Sequence, residues 1–254
     1  MSVPAVPEDV ERILDELARV VRAGADAIGL YAAGSLGSGD YRPETSDLDL
    51  VAVVLRPITT QQQRLLAAQH RRLAAEHLTA NRLHCAYVAA DGLDDLATSH
   101  PTWAHGRFLR RPLYAVTRAE LHTSAVVVFG PPAEELVPPV DSHDLATAAR
   151  TELTTVWRPA TRRPWLWWQD QWVDLGLTTL VRAEATVHDG TLLTKSAAIE
   201  RLASFGVPDR LVGEIARRRQ GAPVVVRPHW RARRALLARR LVATGIERIL
   251  AASP

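Results

Sequence analysis

Strand signals crowd the first 140 residues of this chain and almost vanish from the rest. No other feature constrains its fold as strongly. Apolar positions at helical spacing (Val10, Ile13, Leu14, Leu17, Val20, Val21) predict a helix from Pro7 to Arg22. Short buried strands follow at Ile28 to Ala33 and Asp47 to Leu55, then a helix from Thr60 to His77. Further strands are predicted at Arg82 to Ala89 and Ala125 to Phe129. Gly130-Pro131-Pro132 and Pro138-Pro139 then punctuate the chain, and every later segment (142–157, 165–188, 195–204, 208–219, 229–251) reads as helix. Strands with helices followed by helices alone predicts an α+β chain of two domains. Residues 1–140 would form a mixed sheet with flanking helices, and 141–254 an all-α unit.

A chain of 254 residues can bury either one large core or two modest ones. No apolar run is long enough to span a bilayer, and Met1-Ser2-Val3-Pro4 lacks the basic start of a secretory leader. With Cys85 as the single cysteine, the expectation is a reducing, cytoplasmic setting, no membrane association and a monomer. The net charge of +3 suits an anionic ligand such as a nucleotide without demanding nucleic acid. Lys195 is the one lysine among 31 basic residues. On composition alone it is equally a chance survivor on a solvated face or a place where a compact ammonium is preferred.

The chemistry concentrates in Asp47-Leu48-Asp49-Leu50-Val51. In a strand, side chains alternate, so the two carboxylates project together while the leucines turn to the core. Two acids so placed repel each other and gain no burial, which makes sense if a divalent cation sits between them. Taken alone, the pair favours a solvent-facing strand edge that carries two acids, because short motifs recur by chance. Upstream, Gly34-Ser35 opens a small-residue turn directly after an apolar strand. Glycine there lets backbone N–H groups approach a phosphate, and the Ser35 hydroxyl adds a donor.

The stretch from Leu30 through Gly34-Ser35-Leu36-Gly37-Ser38-Gly39 to Ser46-Asp47-Leu48-Asp49-Leu50 resembles the signature of the DNA polymerase β-like nucleotidyltransferases. Within them it is most similar to the aminoglycoside 3''-adenylyltransferases of the streptomycin/spectinomycin type. Val126 to Leu136 resembles the end of their nucleotidyltransferase domain. Leu180-Val181-Arg182 with Gly190 to Ala198 resembles their helical domain. The resemblance implies AMP transfer from ATP to a hydroxyl of a cationic, aminoglycoside-like small molecule, and hence a role in antibiotic resistance. It places Mg²⁺ on Asp47 and Asp49, and the nucleotide against Gly34, Ser35 and Lys195. Transfer to another small molecule, a protein or an RNA end is the alternative, as is a nucleotide-binding regulatory or antitoxin-like protein that has lost catalysis.

One position departs from the pattern. His84 stands where the family carries its catalytic glutamate. A neutral imidazole can take a proton near pH 7, yet it adds no negative charge beside the metals. His84 is therefore the candidate base, with Asp91 or Asp94 as substitutes and a purely structural histidine as the plain alternative. On the acceptor side, Asp170 and Asp174 lie four apart on one predicted helix face. Asp174, in the apolar setting of Trp172, Val173 and Leu175, would want a partner. Among Trp165, Trp167, Trp168 and Trp172, one is expected to touch ligand, with Trp172 the candidate. The arginines of the last helix, Arg234 among them, are expected to cover its outer side.

Overall fold

The computed structural model describes residues 6–251; Met1-Ser2-Val3-Pro4, read above for targeting, lies outside them. The chain divides into two compact units, one ending at Val140 and the other beginning at Asp141.

In the first unit the order is α1 (Glu8–Ala25), β1 (Ala27–Ala32), α2 (Gly34–Gly37), β2 (Leu48–Val54), α3 (Thr60–Glu76) and β3 (Leu83–Ala89). It continues with β4 (Ser99–Ala104), β5 (Arg107–Pro112), α4 (Ala115–Ser124), β6 (Val126–Phe129) and α5 (Ala133–Leu136). Six strands form one sheet in the order β5-β4-β3-β2-β1-β6. β2 and β3 run parallel, joined through α3, and the other neighbours are antiparallel. The start of α3 is fixed locally: Thr59 and Gln62 exchange side-chain and backbone hydrogen bonds in a capping box.

Alternation along the strands sorts side chains onto two faces. Leu48, Leu50, Ala52 and Val54, with Leu83, Cys85 and Tyr87, pack into one core with Ile13, Leu17 and Val21 of α1 and Leu66 and Leu73 of α3. Val51, Val53 and Val88 face the other way into a smaller core completed by Leu113, Leu121, Ala133 and Val137. Asp49 and His84 share the parity of this second face, one strand step beyond its last packed residues. The larger core also encloses a neutral polar group. His70 of α3 is buried, stacks on Trp103 at 4.8 Å and shares a 2.8 Å hydrogen bond with the Tyr87 hydroxyl. Burial pushes its pKa down to about 3.

The β4–β5 hairpin and α4 escape the sequence reading. β4 contains Pro101, and β5 is an edge strand carrying Arg107, Arg110 and Arg111. The arginines of β5 protect the sheet edge, Pro101 lies in the internal strand β4, and both erase the apolar alternation by which a strand is recognised.

The second unit is helical: α6 (Ser142–Glu152), α7 (Arg158–Thr161), α8 (Asp170–Asp189), α9 (Lys195–Glu200), α10 (Asp209–Arg219) and α11 (Pro228–Ala251). Its core gathers around the fully buried Trp167, against which Gly176 of α8 lies so closely that a Cβ would come within 2.8 Å of the indole. Arg234 overturns the expectation that the arginines of α11 lie outside. It is fully buried and paired with Glu214 of α10 at 3.5 Å and with Asp170 of α8. A guanidinium can occupy this position because two carboxylates meet it there. Among the described residues, no helix is long and apolar enough to cross a membrane.

Candidate active site

The site is assembled at one end of the first sheet. β1 ends at Ala32, and the Ala33 amide donates to the backbone carbonyl of Asp49 at 2.9 Å, so the chain turns directly beside the acid. Gly34 follows with φ +60°, and a Cβ on it would stand 2.8 Å from Asp49 Oδ2. Only glycine lets the turn lie this close to the carboxylate in this conformation. Gly37 serves the opposite side of the same turn, where a Cβ would collide with the carbonyl oxygen of Ser124 at 2.4 Å. The C-terminal end of α4 is thereby drawn against the turn. One helical turn earlier, Glu120 Oε2 accepts the Gly34 N–H at 3.2 Å. Ser35 is half-buried, and its carbonyl accepts from the Asp40 amide at 2.9 Å.

The loop into β2 is closed by the buried Ser46, whose amide donates to the Arg42 carbonyl at 2.8 Å and whose Oγ accepts the Arg42 N–H at 2.9 Å. β2 begins at Leu48, so Asp47 sits just ahead of the strand and exposed, rather than as its first residue. Leu48 and Leu50 are buried, as alternation requires, while the Asp49 side chain keeps 47% of its surface in solvent. Among the described residues, no arginine pairs with Asp47 or Asp49 within ion-pair distance.

Parallel pairing of β2 with β3 sets Asp49 opposite His84. Their side chains meet, with His84 Nδ1 3.3 Å from Asp49 Oδ1. That hydrogen bond is the main cause of a raised His84 pKa; partial burial opposes it, the charges of Asp49 and Asp47 add to it, and Arg111 counters. On its other side the His84 ring meets that of His105 edge to face, with centroids 4.9 Å apart. Asp91 and Asp94 do not substitute for His84. They follow the far end of β3, about 20 Å along the sheet from residue 84.

Gly34, Ser35, Asp47, Asp49 and His84 are thus brought together in the first unit. Lys195, Trp172 and Asp174 belong to the second. Lys195 is the first residue of α9, whose start is capped by the Thr194 hydroxyl accepting from the Ala197 amide at 3.1 Å. Trp172 is half-buried, edge-on to Trp157 at 5.7 Å. The partner that Asp174 requires is Arg218, which donates to both carboxylate oxygens at 2.6 and 2.7 Å. Burial raises the Asp174 pKa against the pull of this guanidinium.

Two residues of the site were not anticipated. Glu120 reaches the Gly34 turn across 86 residues, and His105 arrives on a hairpin that was not read as one. A local signal existed only for the second, in the His105-Gly106 pair between two half-apolar runs. Among the described residues, one trio of metal-ligating side chains converges within 4.8 Å: Glu16, Glu76 and His77. Glu76 there is already held by Arg72 at 2.8 Å, and the trio lies apart from the Asp47–Asp49 pair.

A mixed six-stranded sheet with flanking helices, followed by a helical unit, is an aminoglycoside adenylyltransferase-like fold. No protein-family model matches the chain, and no curated relative matches it in sequence. The solved structures do contain its fold. The crystal structure of spectinomycin adenyltransferase AAD(9) from Enterococcus faecialis, with ATP and spectinomycin, superposes with a TM-score of 0.70. The match covers 91% of this chain and 98% of that one, at 16% identity.

Proposed function

We propose that this protein is a Mg²⁺-dependent adenylyltransferase that transfers AMP from ATP to a hydroxyl of an aminoglycoside-like small molecule. The observation that carries the reading is the exposed Asp47–Asp49 pair against the Gly34 turn, in a fold shared along 91% of the chain with an enzyme solved with ATP and spectinomycin.

The aspartates fit a hard divalent cation. They offer oxygen donors to solvent, and the missing Cβ of Gly34 leaves room at Asp49 Oδ2. When bound, Mg²⁺ supplies charge neutralisation on the phosphates and alignment of the reacting oxygens. Gly34 and Ser35 are the proposed phosphate-side contacts, with Lys195 as the nucleotide-side cation that the family resemblance assigns.

In the transfer, the acceptor oxygen bonds to the α-phosphorus, the bond to pyrophosphate breaks, and the hydroxyl proton passes to a base. His84 is suited to take it. The Asp49 carboxylate can only accept from Nδ1, which leaves the Nε2 lone pair as the one to take the hydroxyl proton. The two carboxylates that raise the His84 pKa are those a cation would neutralise, which removes the cause of the rise. Trp172 and Asp174 remain the proposed acceptor contacts, and a cationic acceptor would have to exchange with Arg218 at Asp174.

A second reading keeps the reaction and changes the acceptor to one that is not a polycation. It is favoured by Arg111, whose charge acts on His84, and by the arginine already seated on Asp174. Pyrophosphate release measured with ATP, Mg²⁺ and a panel of cationic and neutral hydroxyl acceptors separates the two. Turnover confined to the cationic members supports the first reading, and turnover confined to neutral ones the second. Silence across the panel would sink both.

A further inference from the structure

The hairpin joining β4 to β5 turns on His105 and Gly106, both with positive φ, 52° and 75°. Two-residue turns of this kind most often carry Asn, Asp or Gly at the first position, with His among the few other residues that adopt the left-handed backbone. His105 is exposed, so packing of the tip does not account for it. On one flank the tip borders a cavity of about 470 Å³, shared with Arg71, Asn81 and Trp103. On the other the His105 ring meets the His84 ring at 4.9 Å and 73°.

His84 therefore has two restraints of different kinds. Asp49 holds one nitrogen by a hydrogen bond, which fixes a point but lets the ring pivot about it. The edge-to-face contact of His105 opposes that pivot, since such contacts favour one relative orientation of the rings. We propose that His105 is a positioning residue for AMP transfer, holding the plane of the His84 ring so that Nε2 stays directed at the acceptor hydroxyl. The inference rests on the reading of His84 as the base.

The test uses two variants of the full chain. His105→Asn keeps a residue the turn favours and removes the ring; His105→Phe keeps an aromatic ring without nitrogens. The expected result is a fall of about tenfold in kcat for His105→Asn, the scale of a slightly misplaced reacting group. KM for ATP and Tm should stay unchanged, with most of the kcat restored in His105→Phe. Relaxation of the His84 ring should show one orientation in the native protein and a wider pivot in His105→Asn, with the tautomer that Asp49 fixes the same in both. Wild-type kcat in His105→Asn overturns the proposal, as does an equal loss in both variants or a fall in Tm for His105→Asn. Should the native protein transfer AMP to no acceptor, the functional reading fails separately. Ring relaxation then decides the positioning claim, and equal mobility of the His84 ring in native and His105→Asn protein overturns it.

Discussion

In the first unit, Asp47 and Asp49 stand toward solvent beside a glycine turn, and His84 meets Asp49 at 3.3 Å. In the second, Asp170, Asp174 and Glu214 each meet an arginine, and the Trp230 indole also donates to Glu214 at 2.6 Å. Acids of one chemical kind are left without an arginine in one place and neutralised in the other. On the proposed function, the difference separates a carboxylate kept available for an external cation from one that holds helices together. A buried acid without its arginine would carry a large desolvation cost, whereas an exposed pair costs little beyond mutual repulsion.

The sharpest way to break this contrast is to remove the arginine from the most buried group. Arg234→Ala leaves Asp170 without its guanidinium and takes from Glu214 the one fully buried arginine of the three around it. It should cost about 3–5 kcal/mol in denaturant unfolding of the full chain. A loss below ~1 kcal/mol would mean that the network does not hold α8, α10 and α11 together. Asp47→Asn should behave in the opposite sense. AMP transfer should fall at least about 100-fold, equivalent to ~2.7 kcal/mol of transition-state stabilisation. Stability should move by less than about 0.5 kcal/mol, because the residue is exposed and unpaired with arginine.

Asp174→Asn tests whether that residue belongs with the structural acids. Losing a charge-assisted, two-point contact to Arg218 should cost about 1.5–3 kcal/mol. If acceptor KM rises while stability holds, Asp174 moves to the functional side of the comparison. The effect that is smallest at neutral pH concerns His70, a neutral imidazole buried in the unit that carries the Asp47–Asp49 pair. Its folded pKa of about 3 lies below the unfolded value, so only the unfolded chain binds the proton between the two. Its contribution is complete above about pH 6.5 and is lost on acidification, at up to about 1.4 kcal/mol per pH unit until pH 3. Subtracting the pH–stability curve of His70→Gln from the native curve should isolate this slope.

The same contrast explains what could be read in advance. Asp47, Asp49, Gly34 and Ser35 lie within 16 positions of one another, so strand alternation and a glycine turn suffice to propose their meeting. The helices α1 and α3 and the strands β1 to β3 were legible because one face of each is continuously apolar. The arginines that complete Asp174 and Asp170 come from 44 and 64 positions away, on helices whose packing no local pattern reports. Arg234 was therefore read as surface when it is core. Glu120 and His105 were missed for the same reason, since each enters the site through tertiary packing.

The proposal stands or falls on whether the Asp47–Asp49 pair serves nucleotidyl transfer. It is tested most directly by mass spectrometry of spectinomycin, streptomycin and unrelated hydroxyl compounds incubated with ATP, Mg²⁺ and either the native protein or Asp49→Asn. The account predicts an acceptor increased by one AMP with the native protein and none with the folded variant. An equal yield of that product from Asp49→Asn, or no product from the native protein with any acceptor, would contradict it.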